Sequence, residues 1–171
     1  MKELSGFTGL VIAVDDPRVE DVQALLEAHL AFAREVTPPE DVHALDIEGL
    51  LDPAVTLFSA RLDGELLGVG ALKQLDESHA ELKSMHTIEA ARRRGVGRAM
   101  VDRLLSVATD RNCQRVSLET GTMDAFAPAR SLYTKAGFAP CEPFGDYCFS
   151  PSSACMTINL DPAARTTNGE R

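Results

Sequence analysis

Arg92-Arg93-Arg94-Gly95-Val96-Gly97-Arg98-Ala99 stands between a strand-like run, residues 80–87, and an amphipathic segment from Gly95 to about residue 110. The first turn of a helix carries free backbone N–H groups and a partial positive charge. Gly95 and Gly97 let a bulky anion come close to that backbone. The arginines upstream place more positive charge at the same spot. The stretch therefore reads as a phosphate or diphosphate site at a helix N-terminus. Taken alone, it is also compatible with an ordinary solvated basic loop.

Spacing narrows the choice of anion. The triphosphate cradle GxxxxGK[ST] is absent, and GxGxxG fails because no third glycine follows Gly97. The spacing present is R-x-x-G-x-G, from Arg92 through Gly95 to Gly97. One helix and one strand later comes Ala129-Arg130-Ser131-Leu132-Tyr133-Thr134-Lys135-Ala136-Gly137-Phe138, an A-x-x-x-Y-x-x-x-G-F pattern. In this order the two motifs resemble the GCN5-related N-acetyltransferases. The segments His43-Ala44-Leu45-Asp46, Glu81-Leu82-Lys83-Ser84-Met85, Leu118-Glu119-Thr120-Gly121 and Pro143-Phe144-x-x-Tyr147 resemble that superfamily's YsnE-like branch. The loop departs from the common RGxG form, with Arg93 and Arg94 adding bulk on the adenine side.

Composition agrees with one ordinary globular unit. The chain has 171 residues, 44% of them hydrophobic and 25% charged. A net charge of −9 argues against general nucleic-acid affinity, so a local arginine cluster reads as a specific anion site. No apolar run reaches the roughly 18 residues needed to span a bilayer, and Met1-Lys2-Glu3-Leu4-Ser5-Gly6 lacks a signal-peptide core. Cys113, Cys141, Cys148 and Cys155 form no CxxC or zinc-type spacing. They read as reduced thiols of a cytoplasmic protein with no metal requirement.

The periodicities predict strands at 10–14, 55–62, 66–72, 80–87, 115–119, 147–149 and 155–160. Asp63-Gly64 is a hairpin signal. Helices are predicted from Asp15-Asp16-Pro17 to the break at Thr37-Pro38-Pro39, over 42–51, from Gly95 to about 110, and over about 126–136. Helices covering a sheet is the physical expectation. The resemblance sharpens this α/β class to a mixed, mostly antiparallel sheet of about seven strands, flanked by helices, with strands 4 and 5 splayed apart. It also implies a single N-acetyltransferase domain over 1–160 and a flexible tail over 161–171.

Acetyl transfer to an amine requires loss of an amine proton, polarisation of the thioester oxygen and departure of a thiolate. The resemblance implies acetyl-CoA as cosubstrate. Its pantetheine arm would lie at Met85, His86 and Thr87, and its diphosphate at Arg92, Arg93, Arg94, Gly95, Val96, Gly97, Arg98 and Ala99, with Ala129 nearby. Tyr133 would protonate the departing thiolate; the alternative is a core tyrosine. Strand alternation puts Glu81, Lys83 and Met85 on one face and Leu82 and Ser84 on the other. Glu81 is the candidate base, or else a partner for Lys83. Lys83 is also placed to hold a substrate carboxylate, while a strand histidine such as His86 is more often structural. His43 falls where the family forms its acceptor wall, as do Thr120 and Gly121 at a strand end. Phe144 and Tyr147 belong to a turn-rich loop able to cover the acceptor.

The expected reaction is direct transfer, in a ternary complex, to the amine of a small molecule. Protein lysines or N-termini are the alternative acceptors. A non-catalytic acyl-CoA-binding or sensing module and an unrelated nucleotide-binding protein are the alternative functions. Homodimers are common in the family, but no interface is legible in this chain.

Overall fold

The computed structural model describes residues 7–160. The N-terminal residues 1–6 and the tail expected over 161–171 lie outside the described residues. The period-2 segments form one seven-stranded sheet. Its strands are β1 (Leu10–Val14), β2 (Val55–Leu62), β3 (Glu65–Gln74), β4 (His79–Thr87), β5 (Arg115–Gly121), β6 (Ala139–Pro140) and β7 (Ser153–Asn159). Their order across the sheet is β1-β2-β3-β4-β5-β7-β6. Every neighbouring pair is antiparallel except β4 and β5, which run parallel. The α-helices are α1 (Glu20–Val36), α2 (Ile47–Leu50), α3 (Val96–Asp110) and α4 (Ala127–Ala136). Among the described residues no helix is long and apolar enough to cross a membrane.

Alternation divides the apolar side chains between two cores. Leu57, Val69 and Ala71 face α1 and pack on Val22, Leu25 and Leu26. Phe58, Leu72, Leu82 and Leu118 face the other way, onto Met100 and Leu104 of α3 and Tyr133 of α4. Each fully buried side chain of this size stabilises the fold by about 1.5–3 kcal/mol relative to exposure. The β2–β3 hairpin closes through Asp63 (φ 51) and Gly64 (φ 84), both in the left-handed region that a two-residue type I′ turn requires.

Two elements differ from the sequence expectation. Residues 147–149 do not form a strand; they lie in the connection from β6 to β7, and Ala139–Pro140 pairs with β7 instead. Pro143, Gly145 (φ 57) and Pro151 break the extended run, and the Tyr147 N–H donates to the Phe144 carbonyl at 3.0 Å. The helix expected over 42–51 shrinks to Ile47–Leu50, because Asp46 caps it by accepting the Gly49 N–H at 2.8 Å.

A β-bulge in β4 corrects a third expectation. Val69 pairs with His86 and Ala71 with Lys83, so β4 spends one more residue than β3 over this interval. Ser84 takes up the excess at φ 56. Side-chain parity reverses beyond it. Met85 therefore leaves the face of Glu81 and Lys83 and packs against the core under α3. Gly70 makes room for it: a Cβ there would lie 2.7 Å from Met85 Sδ and 2.8 Å from Met100 Cγ.

Candidate active site

The β4–β5 ladder runs from His79–Arg115 to Leu82–Leu118 and stops. Beyond that point residues 83–87 and 119–121 have no partner across the gap, and the two strands part. The expected splay is therefore present, beside the bulge. On the α1 side of the sheet the gap opens into a cavity of about 90 Å³. Its walls come from α1 (His29), the segment 41–44, β4 (Glu81 to Met85), the end of β5 (Glu119 to Gly121) and Phe126.

Glu81 is only 3% exposed. A carboxylate so deep is stable only with partners, and two are present. Lys83 Nζ lies 3.2 Å from Glu81 Oε1. The Tyr147 hydroxyl donates to the same oxygen in a very short hydrogen bond. Lys83 Nζ also donates to the Tyr147 hydroxyl at 2.8 Å. Glu81 Oε2 has no hydrogen bond among the described residues. Burial, and then the Glu81 charge, raise the Tyr147 phenol well above its ordinary range. The Tyr147 ring is held edge-on to His43 and Phe144, with centroids 5.0 Å away in each case. Phe144 does not line the cavity; it packs between Tyr147 and His79.

On the opposite wall, Glu119 Oε1 accepts from Ser153 Oγ at 2.8 Å. Burial raises its carboxyl above the usual carboxylate value, and the Ser153 bond offsets part of that rise. Gly121 is required by close packing, since an added Cβ would strike the Phe126 ring. His29 Nδ1 and His86 Nδ1 share a proton at 3.1 Å, one ring donating and the other accepting. Burial, and then His86, lower His29 to about 4, so the pair is neutral near pH 7. His86 is lowered too, by burial and then by Arg92.

The start of α3 lies at the other end of the gap. Gly95 is the N-cap at φ 93, with no side chain bonded to the first-turn N–H groups and no acidic residue in that turn. Arg92 Nε donates to the Thr87 carbonyl at 3.2 Å, tying the loop to the end of β4. Arg94 stacks on the Phe7 ring at 4.4 Å. Arg93 sits at φ 63. Arg98 turns away, pairing with Asp102 at 3.0 Å and bonding the Lys135 carbonyl at 3.2 Å. The Val96 and Ala99 side chains are buried, so only their backbone can meet a ligand. Gly97 allows close approach to α4: a Cβ there would lie 3.1 Å from Leu132 Cδ2.

Tyr133 is 6% exposed, with its ring on Phe138 at 5.9 Å and no hydrogen bond among the described residues. Burial raises its phenol. Neither Tyr133 nor Ala129 lines the cavity. The structure thus gathers Glu81, Lys83, His43, Thr120 and Gly121 around one space, with Met85 at its edge; Tyr147 is not in the lining and joins through its bonds to Glu81 and Lys83. Glu119, Ser84, His29 and Asp41 join them there without having been singled out in the sequence. The signal for Glu119 was available: alternation with the buried Leu118 puts it on the Glu81 face.

A splayed parallel pair, a bulge in its first strand and an uncapped helix start form one connected feature. The model of the acetyltransferase (GNAT) family matches residues 22–138, covering all three. The chain belongs to that family. Within it, this acetyltransferase is 45% identical over 149 residues to the uncharacterized N-acetyltransferase YedL of Escherichia coli (strain K12), across 87% of this chain and 94% of that one. It is 44% identical over 149 residues to the uncharacterized N-acetyltransferase YsnE of Bacillus subtilis (strain 168), across 87% and 99%. Among solved structures, a Klebsiella pneumoniae protein assigned as an acyl-CoA N-acyltransferase superimposes with a TM-score of 0.76 at 26% identity, over 89% of this chain and 98% of that one.

Proposed function

We propose that the protein transfers an acetyl group from acetyl-CoA to the amine of a small molecule, directly, within a ternary complex. The observation that carries this reading is the end of the β4–β5 ladder at Leu82–Leu118, which opens a cleft between an uncapped helix start and the buried Glu81–Lys83–Tyr147 group. The residues present fit the cosubstrate. First-turn N–H groups of α3, with Arg92 to Arg94, would hold the diphosphate, and the unpaired edge of Met85, His86 and Thr87 would hold the pantetheine arm.

Bound acetyl-CoA would supply the thioester carbon, which gains a bond to the amine nitrogen as the carbon–sulfur bond breaks. Glu81 Oε2 accepts the proton lost by the amine. Lys83 and Tyr147 fix that group by bonding its other oxygen. Tyr133 supplies the proton taken up by the departing thiolate. Its raised phenol is matched to that task if the thiolate is desolvated in the same apolar surroundings, since burial raises both proton affinities.

The test is consumption of acetyl-CoA over a panel of small amines, with product mass confirmed, alongside calorimetry of acetyl-CoA against ATP and NAD. Binding of acetyl-CoA alone and a product heavier by one acetyl group are expected. Preference for ATP or NAD would overturn the reading.

A further inference from the structure

Resting on the acetyl-transfer reading of the same cleft, we infer that the acceptor is a small aliphatic diamine, whose second ammonium is held by Glu119 while the amine to be acetylated lies at Glu81 and Tyr147. The charged side chains lining the cavity are Asp41, Glu81, Glu119 and Lys83. Lys83 is already committed, at 3.2 Å from Glu81 and 2.8 Å from the Tyr147 hydroxyl, with its side chain 9% exposed. Asp41 and Glu119 are left with hydroxyl donors only, from Ser150 at 2.7 Å and Ser153 at 2.8 Å.

Glu119 is half-buried, its one hydrogen bond among the described residues comes from a neutral hydroxyl, and the His43 and Lys83 charges reach it only through space. Burial raises the Glu119 carboxyl despite the Ser153 bond and the His43 and Lys83 charges, and an ammonium bonded directly to it would offset that burial. Ser84 gives an independent indication. It lines the same cavity, is 7% exposed, and its hydroxyl has no partner. A buried hydroxyl oxygen without a partner, in a cavity that carboxylates also line, suits an N–H donor. An amino acid fits poorly, because its carboxylate would face Asp41 and Glu119 while Lys83 is already bonded to Glu81 and Tyr147.

Three acceptors of matched length separate the alternatives: 1,4-diaminobutane, butylamine and 4-aminobutanoate. Initial rates with acetyl-CoA should give kcat/KM at least about tenfold higher for the diamine than for butylamine, with 4-aminobutanoate below both. In Glu119→Gln, checked for folding by circular dichroism, the diamine-to-butylamine ratio should fall to within about twofold of unity. Equal use of 4-aminobutanoate, or an unchanged ratio in the variant, overturns the diamine assignment. So does an enzyme that binds acetyl-CoA and acetylates other amines but not the diamine, and that result leaves the transferase reading standing. Failure to bind acetyl-CoA at all brings down both.

Discussion

The ammonium of Lys83 lies 2.8 Å from the hydroxyl of Tyr147, 64 residues away in sequence, and both groups bond the same oxygen of Glu81. This contact joins a central strand to the loop between β6 and β7. It makes the loop part of the site's electrostatics. Removing the hydroxyl in Tyr147→Phe should keep the ring contacts with His43 and Phe144 and delete two hydrogen bonds. A stability loss of about 1–3 kcal/mol in urea unfolding is expected. Turnover should fall with it, because Glu81 loses one of the two groups that orient it. Wild-type kcat in this variant would detach Tyr147 from the mechanism.

Lys83→Met leaves the Glu81 carboxylate buried without its cation. Breaking a buried pair from one side costs about 3–5 kcal/mol, whereas replacing both partners is often nearly neutral. The double variant Glu81→Gln/Lys83→Met should therefore be more stable than Lys83→Met alone. A double-mutant cycle by chemical denaturation measures this, and additive losses would contradict a coupled pair.

Tyr133→Phe tests the proposed acid. Its hydroxyl has no hydrogen bond among the described residues, so its loss should leave stability and acetyl-CoA affinity nearly unchanged. Turnover should drop by about 10²–10⁴-fold, the usual contribution of a positioned proton donor. Unchanged turnover would make Tyr133 a core residue only.

Gly70→Ala acts on the cofactor edge from behind. The added methyl meets the Met85 and Met100 side chains at 2.7 and 2.8 Å, so those side chains, or the bulge that carries Met85, must shift. Overpacking of this kind costs about 1–3 kcal/mol, or roughly 2–4 °C of melting temperature per kcal/mol in a chain of this size. Acetyl-CoA affinity should weaken as well, although residue 70 lies outside the proposed contacts. Calorimetry and a thermal melt on one sample check both effects.

The His29–His86 pair predicts a pH dependence. Burial, and then His86, depress His29 to about 4 in the folded protein, against about 6.5 when unfolded. Between those values the unfolded chain binds more protons, so stability rises with pH there. The contribution is present above about 6.5 and is lost as pH falls toward about 4. The His29 contribution to urea midpoints should fall on acidification across this window, read as the slope that His29→Gln removes, since the raised Glu119 carboxyl contributes with the opposite sign. The carboxylates lowered by hydrogen bonds, such as Asp15 and Asp16, titrate below this window.

Much of the fold was legible because its signals are local. The period-2 run of β2, the Asp63-Gly64 turn and the amphipathic spacing of α3 depend on neighbours a few residues away, and each forms as read. The glycine-arginine loop was legible for the same reason: a helix start and its exposed N–H groups are properties of one short segment. Residues 147–149 misled because an aromatic run suits a strand while Gly145 and Pro151 forbid the pairing.

What the chain determined by itself was most of its elements, their order and an uncapped helix start beside three arginines. Tertiary structure decided which side chains share the cavity. One extra residue at Ser84 reverses the facing of every later residue in β4, and a bulge of that kind has no signature in composition or period. The meeting of Glu81 with Tyr147, and the sharing of one cavity by Glu81 and Glu119, depend on where the β4–β5 ladder ends and on how the β6–β7 connection folds back. Both follow from packing between segments far apart in the chain, where no local preference reaches.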